Sequence, residues 1–151
     1  MTDYKNICSK FQSLLSSLSQ YEIMLAIINL LGGGKVAVSA SFVFYNILKS
    51  YVDFLSNQSK LAKRYGGYMV KTVSDIQIDT LISVKSIRNA LKKLKDYGFI
   101  DTKTRGTNNH TTIKLNVECV DLIEKTYEKF KTERDKRIEA RKFEEEYYEE
   151  N

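Results

Sequence analysis

The stretch Thr72–Leu115 decides the fold of this chain. It reads TVSDIQIDTLISVKSIRNALKKLKDYGFI over residues 72–100 and DTKTRGTNNHTTIKL over residues 101–115. Apolar residues at helical spacing occupy the first part, and alternating Thr-rich arms occupy the second. The stretch therefore predicts a short helix, a tight turn, a longer basic helix and a polar hairpin, following one another without a gap.

The two helices of this stretch have recognisable starts and inner faces. Thr72 and Asp75 have capping-box spacing, which predicts the start of the first helix, and Ser83 is placed to cap the second. The inner face of the first helix consists of Ile76 and Thr80, or of Ile78 and Leu81 if the register is shifted. In the second helix one apolar stripe is predicted to face the core: Val84, Ile87, Leu91 and Leu94, with Ala90 beside it.

Glycines mark the ends of these elements. Gly98 is placed to end the second helix in a left-handed conformation, with Phe99 folding back on the helix. Thr102–Thr104 and Thr111–Lys114 are β-favouring arms of a hairpin, with the turn between them. Tyr68–Lys71 is predicted to form a short strand before the first helix.

The rest of the chain predicts a mainly α fold with a small β-hairpin. At 151 residues we expect one domain, with a helical part over 1–66, the motif over 68–115 and a C-terminal helix over 116–151 that has a frayed acidic end. The N-terminal part reads as three helices, with residues 35–39 compatible with either a short strand or a linker. Their predicted ranges are Asp3–Leu18, Gln20–Leu31 (capped by Ser19 and Glu22) and Ala40–Tyr65, and Asn116 is placed to cap the last helix.

Positive charge is concentrated on the motif. The chain carries +5 overall, but residues 85–114 contain eight Lys or Arg against two Asp, a local net of +6. From Glu128 onward nine acidic residues outnumber seven basic ones. A basic patch on one segment is what a polyanionic partner requires.

Several function classes find no support in the sequence. The two cysteines lie 111 positions apart and there is one histidine, so we expect no metal site, no cofactor and no catalytic nucleophile–base pair. Gly32-Gly-Gly-Lys35 lacks the spacing of a phosphate-binding loop, because Asn29 and Val36 stand where Gly and Ser or Thr are needed. Ile23–Leu31 is too short to cross a bilayer, and no signal peptide is seen. We expect a cytoplasmic protein that is not an enzyme and has no membrane partner.

The order of helix, turn, basic helix, glycine and hairpin resembles the winged helix-turn-helix family. The resemblance covers about a third of the chain. It implies that the second helix of the motif enters the DNA major groove and that the hairpin is the wing. The expected fold is therefore a winged-helix core with extra N-terminal helices and a long C-terminal helix.

The predicted DNA-binding residues lie opposite the apolar stripe and on the wing. Asn89 can pair with adenine, Arg88 or Lys85 with guanine, and the later lysines with phosphate. Arg105 at the hairpin tip suits a narrow minor groove. Alternatively, the helix has an ordinary solvated face and the Gly and Asn residues serve the turn alone. The full set is Lys85, Ser86, Arg88, Asn89, Lys92, Lys93, Lys103, Arg105, Thr107, Asn108 and Asn109.

The resulting expectation is a sequence-specific double-stranded DNA-binding protein, acting as a transcriptional regulator. Two alternatives stay open: a plasmid or phage replication or partition factor, whose winged-helix domains the motif also resembles, and a winged-helix adaptor that binds protein rather than DNA. Surplus apolar surface on the terminal helices predicts a homodimer, or a protein partner, through those helices. The competing interpretation is a compact monomer with a larger helical layer.

Overall fold

Within residues 2–105 and 110–150, which the computed structural model describes, seven helices pack together with a small antiparallel sheet. This confirms the predicted mainly α fold with a β-hairpin and a long C-terminal helix. In chain order the elements are α1 (Tyr4–Ser17), α2 (Gln20–Leu30), α3 (Gly34–Asn57), α4 (Ser59–Arg64), β1 (Met69–Val70), α5 (Val73–Thr80), α6 (Val84–Asp96), β2 (Ile100–Arg105), β3 (His110–Leu115) and α7 (Glu118–Glu150).

Helix α3 lies at the centre of the core. It contacts α1 and α2 on one side and α5 and α6 on the other. Apolar residues almost all round this helix make such enclosure necessary, because each exposed aliphatic or aromatic side chain would forgo about 1.5–3 kcal/mol of burial free energy. Phe44 packs edge-on against Phe99 and Tyr51 against Phe11, each pair with ring centroids 5.8 Å apart.

Two boundaries of this region differ from the sequence prediction. Residues 35–39 are the first turns of α3, not a strand or a linker. Ala37 and Ala40 are fully buried, so packing of this segment decides in favour of the helix. The single helix predicted over Ala40–Tyr65 is broken at Gln58 (φ −128°, ψ 45°), and α4 follows as a separate short helix.

The sheet has the order β1-β3-β2, and all its pairings are antiparallel. Ile100 faces Leu115 and Met69 faces Ile113, and these four side chains are buried on the core side. The predicted first strand is shorter than expected, since only Met69 and Val70 pair with β3.

Two predicted helix starts are confirmed in atomic detail. At α2 the Ser19 hydroxyl accepts from the Glu22 backbone N–H (3.2 Å), while the Ser19 N–H donates to the Glu22 carboxylate (2.9 Å). Thr72 and Asp75 make the same reciprocal pair at α5. Each box satisfies two backbone donors that a helix N-terminus otherwise leaves without a partner.

Helix α7 changes character along its length. Its first part packs on α2 and α1 with Val120, Ile123 and Tyr127 buried, whereas every side chain from 131 to 149 is exposed. The solvated C-terminal part was predicted, but the helix does not fray there and continues to Glu150. Asn116, predicted as its cap, donates from its side-chain amide to the Gly98 carbonyl (2.7 Å) and so ties the start of α7 to the end of α6.

Candidate nucleic-acid interface

A buried lysine fixes α5 against α3. Lys71 is 8% exposed, and its ammonium donates to the Asp79 carboxylate and to the Ser50 hydroxyl, both at 2.9 Å. Asn46 on α3 donates to the same carboxylate oxygen of Asp79 at 3.2 Å. These hydrogen bonds, the one from Lys71 first, hold the pKa of Asp79 below its usual value. The network joins the segment after β1 and the last turn of α5 to α3.

The turn between α5 and α6 is made by a leucine in the left-handed region. Leu81 has φ 59° and ψ 19°, and its N–H donates to the Gln77 carbonyl at 2.8 Å. Ile76 is fully buried, whereas Ile78 and Leu81 are 72% and 89% exposed. The first of the two predicted registers for α5 is therefore confirmed, and the shifted one is wrong.

Helix α6 starts as predicted, but its buried face is rotated from the predicted one. Ser83 caps the helix by accepting from the Ser86 N–H at 3.2 Å. Ile87, Ala90 and Leu94 are fully buried, while Leu91, predicted to lie in the core, is only partly buried. The stripe is centred nearer Ala90 because a small residue there lets α6 approach α3 closely.

The opposite side of α6 carries four exposed polar residues, which we name the α6 outer face: Lys85, Arg88, Asn89 and Lys92. Within residues 2–105 and 110–150, no hydrogen bond, ion pair or cation–π contact engages these four side chains. Ser86 and Lys93, also predicted to contact DNA, are half-buried. The outer face therefore presents three cations and one amide with their hydrogen-bonding capacity available to a ligand.

Other basic residues of the motif are engaged within the chain. The Lys95 ammonium donates to the Thr102 hydroxyl at 3.1 Å, and the Lys93 ammonium lies 5.7 Å from the centre of the Tyr97 ring. These contacts join α6 to β2 and to the helix end. They reduce the freedom of both lysines without neutralising their charge.

The outer side of the sheet holds a cluster around Tyr68. The Lys103 ammonium lies 4.5 Å from the centre of the Tyr68 ring, and that of Lys114 lies 5.9 Å away. The Tyr68 hydroxyl donates to the Asp101 carboxylate at 2.6 Å. This hydrogen bond is the main cause of the lowered pKa of Asp101, with smaller contributions from Lys95 and Lys103, while burial and Asp101 raise the pKa of Tyr68 to about 12. Lys103 is therefore held in place on the hairpin beside a carboxylate.

The hairpin tip falls partly outside the described residues. Thr107, Asn108 and Asn109 lie there, as does the side chain of Arg105, whose backbone ends β2. Lys103 lies on β2, which packs against α6, so it is on an element next to the one that carries the α6 outer face. Sequence reasoning missed Tyr68 and Asp101, because their partners are distant along the chain and no local pattern signals a cation–π contact.

The described residues offer no assembled centre for metal chemistry. Within the ranges 2–105 and 110–150, no group of three or more His, Cys, Asp or Glu side chains is placed to hold a metal ion. Both cysteines are buried, and burial raises the pKa of Cys8 and takes that of Cys119 to about 12. A thiol with so high a pKa is a poor nucleophile at neutral pH. None of the described helices has the length and apolar character needed to cross a lipid bilayer.

Comparison of the chain with protein-family models, with curated proteins and with solved structures finds no match.

Proposed function

We propose that this protein binds double-stranded DNA in a sequence-specific manner and regulates transcription. In this proposal α5, the Leu81 turn and α6 form the helix-turn-helix of a winged helix, and β2–β3 is the wing. Helix α6 enters the major groove, whose width of about 12 Å admits an α-helix. The function needs no cofactor and no catalytic step, and it is carried out in the cytoplasm.

The observation that carries the proposal is that the side chains of the α6 outer face have no bonding partner among the described residues. Lys71 and Lys103 are engaged within the chain, whereas the α6 outer face presents three cations and an amide with no partner among the described residues, on the segment where positive charge is concentrated. Lys85, Arg88 and Asn89 lie in the first half of α6, the part of a recognition helix that reaches base edges. Arg88 or Lys85 would contact guanine, and Asn89 would pair with adenine. Lys92 would contact phosphate.

The hairpin would position the protein without reading sequence. Lys103 is held over Tyr68 and would contact a phosphate oxygen, an interaction that adds affinity for any sequence. Arg105 and the residues Thr107, Asn108 and Asn109 keep their proposed roles at the wing tip, in the minor groove and on the backbone.

The proposal includes a homodimer. Two copies related by a two-fold axis would place their α6 helices in successive major grooves about 34 Å apart on a palindromic site. A dimer with four to five phosphate contacts per subunit should lose affinity with a slope of about −8 in log K against log salt.

The test is selection of bound oligonucleotides from a random duplex pool, followed by salt titration with the selected site. Asn89→Ala should relax the preference at one position per half-site, costing about 1–3 kcal/mol at that base pair. Lys10→Ala is the matched control, since Lys10 is an exposed lysine on α1, a different element. It should leave both the affinity and the preference unchanged.

The outcomes separate the candidate functions. A short selected palindrome near the protein's own gene supports a regulator, whereas repeated sites at an origin or centromere indicate a replication or partition factor. A salt slope near zero, with no enriched sequence, would falsify DNA binding and leave the protein-binding adaptor.

A further inference from the structure

The outer half of α7, residues 131–149, projects from the fold with no buried side chain. Several of its exposed side chains are large and apolar or aromatic: Ile138 is 47% exposed, Phe143 71% and Tyr148 76%. In proteins most helical stability comes from packing of an apolar face, and this segment has no such packing within the chain. These features indicate that another molecule packs against this segment.

Charge is segregated along this segment. Residues 131–142 carry six basic and three acidic side chains, a net of +3, whereas residues 144–150 carry five glutamates and no basic residue. Like charges recur one helical turn apart within each block, as in Arg137 with Arg141 and Glu145 with Glu149, whereas opposite charges face each other where the blocks meet, as in Arg141 with Glu145. Among the described side chains of α7 no salt bridge is formed, so the charges of both blocks are available to a partner.

We propose that the outer half of α7 pairs with the outer half of α7 from a second copy of this chain, in antiparallel orientation. Antiparallel alignment sets the glutamate block of each copy against the basic block of the other, twice over by symmetry. With the two blocks matched in this way, the overlap is centred near Phe143, and the two Phe143 side chains meet close to the axis. The pairing specifies the homodimer contained in the proposed function but does not depend on DNA binding.

The second copy is the occupant because the segment is complementary to itself. A uniformly basic surface would fit a polyanion, and a uniformly acidic one would fit a basic partner. This helix instead presents both signs in adjacent blocks. Exposed apolar side chains lie within the basic block, at Ile138, and between the two blocks, at Phe143. Reversal of direction matches such a helix with an identical copy, and a two-fold axis perpendicular to the helix produces that relation.

Charge reversal tests the pairing in the full chain without DNA. One variant replaces four acidic residues (Glu144→Lys, Glu145→Lys, Glu146→Lys and Glu149→Lys), and a second replaces four basic residues (Arg134→Glu, Arg137→Glu, Arg141→Glu and Lys142→Glu). Light scattering at micromolar concentration and low salt should give about twice the 17.5 kDa chain mass for the wild type and the single-chain mass for each variant alone. Mixing the two variants should restore the dimer mass, because one outer half is then predominantly basic and the other predominantly acidic.

A third variant with all eight substitutions exchanges the two blocks and should dimerise like the wild type. It also controls for loss of helix, which circular dichroism checks in every variant. Any one of three results would overturn the proposal. These are a monomeric wild type, dimers that persist in both variants with four substitutions, and a mixture of the two variants that stays monomeric. Because the readout is mass in the absence of DNA, a failure here is distinct from a failure to bind DNA.

Discussion

At the scale of single residues, Leu81 stands out because its backbone and its side chain are both unfavourably placed. It is the one non-glycine residue with positive φ in the described part of the chain, and its side chain is 89% exposed. A left-handed conformation costs an L-residue about 1–2 kcal/mol, and the exposed leucine gains almost nothing from burial. The turn geometry that sets α6 relative to α5 is thus maintained against a local cost.

We therefore expect Leu81→Gly to stabilise the protein. Glycine removes the steric cost but adds about 0.5–1 kcal/mol of unfolded-state entropy, which leaves a net gain of about 0.5–1 kcal/mol. Leu81→Ala is the matched control, since it removes the exposed apolar side chain but keeps the Cβ. Urea denaturation should show a higher midpoint for the glycine variant alone. Equal gains for both variants would mean that the side chain, not the backbone, carries the cost.

Two other residues, Lys71 and Tyr68, make tertiary contacts that the sequence does not predict. Lys71 was predicted only as part of a strand, yet it is the buried cation that joins Ser50 and Asp79. Tyr68 likewise acquires its role from Lys103 and Asp101, more than 30 positions further along the chain. Such contacts depend on the tertiary arrangement, and neither residue type nor local spacing predicts them.

At the scale of elements, the predictions that succeeded rest on local physics. A capping box is completed within four residues, so Ser19 with Glu22 and Thr72 with Asp75 could be read directly from their spacing. The start of α3 and its break at Gln58 could not be predicted from local spacing. The alternation over residues 35–39 suits a strand as well as a helix, and only packing of Ala37 in the core decides between them.

The rotated face of α6 leads to a test within one helix. Leu94 is fully buried and Leu91 is not, so Leu94→Ala should lower the free energy of unfolding by about 2–5 kcal/mol. Leu91→Ala should cost about 1 kcal/mol, because part of that side chain already contacts water. Lys92→Ala, on the α6 outer face, should leave stability unchanged.

Denaturant titration of the three variants gives this order directly. A Leu91 variant as unstable as the Leu94 variant would restore the face predicted from sequence. In the DNA-binding proposal, Lys92→Ala should also weaken binding to all sequences about equally and reduce the salt slope by about 1.

At the scale of the whole molecule, the apolar surface of the terminal helices, from which the sequence predicts a dimer, is mostly buried within one chain. Phe11 and Leu14 of α1, Ile23 and Ile27 of α2, and Ile123 of α7 are fully buried within a single chain. They close the monomer's own core around α3, and periodicity alone cannot distinguish a face that packs internally from one that packs on a partner. What stays exposed includes Tyr21 of α2, Leu122 of α7 and the whole of the charged outer half of α7 over residues 131–149.

This division predicts that the fold does not need the end of α7. A chain stopped after Arg137 loses residues 138–151, of which the described side chains are all exposed, and it keeps the part of α7 that packs on α2. Its unfolding free energy, extrapolated to low protein concentration, should match that of the full chain, with a smaller helical signal in circular dichroism. Phe11→Ala in the full chain is the contrasting change, since it empties a fully buried site and should cost about 3–5 kcal/mol. If the shortened chain unfolded as readily as the Phe11 variant, the outer half of α7 would be part of the monomer's stabilising structure, and the boundary between core and projecting helix would have to be moved.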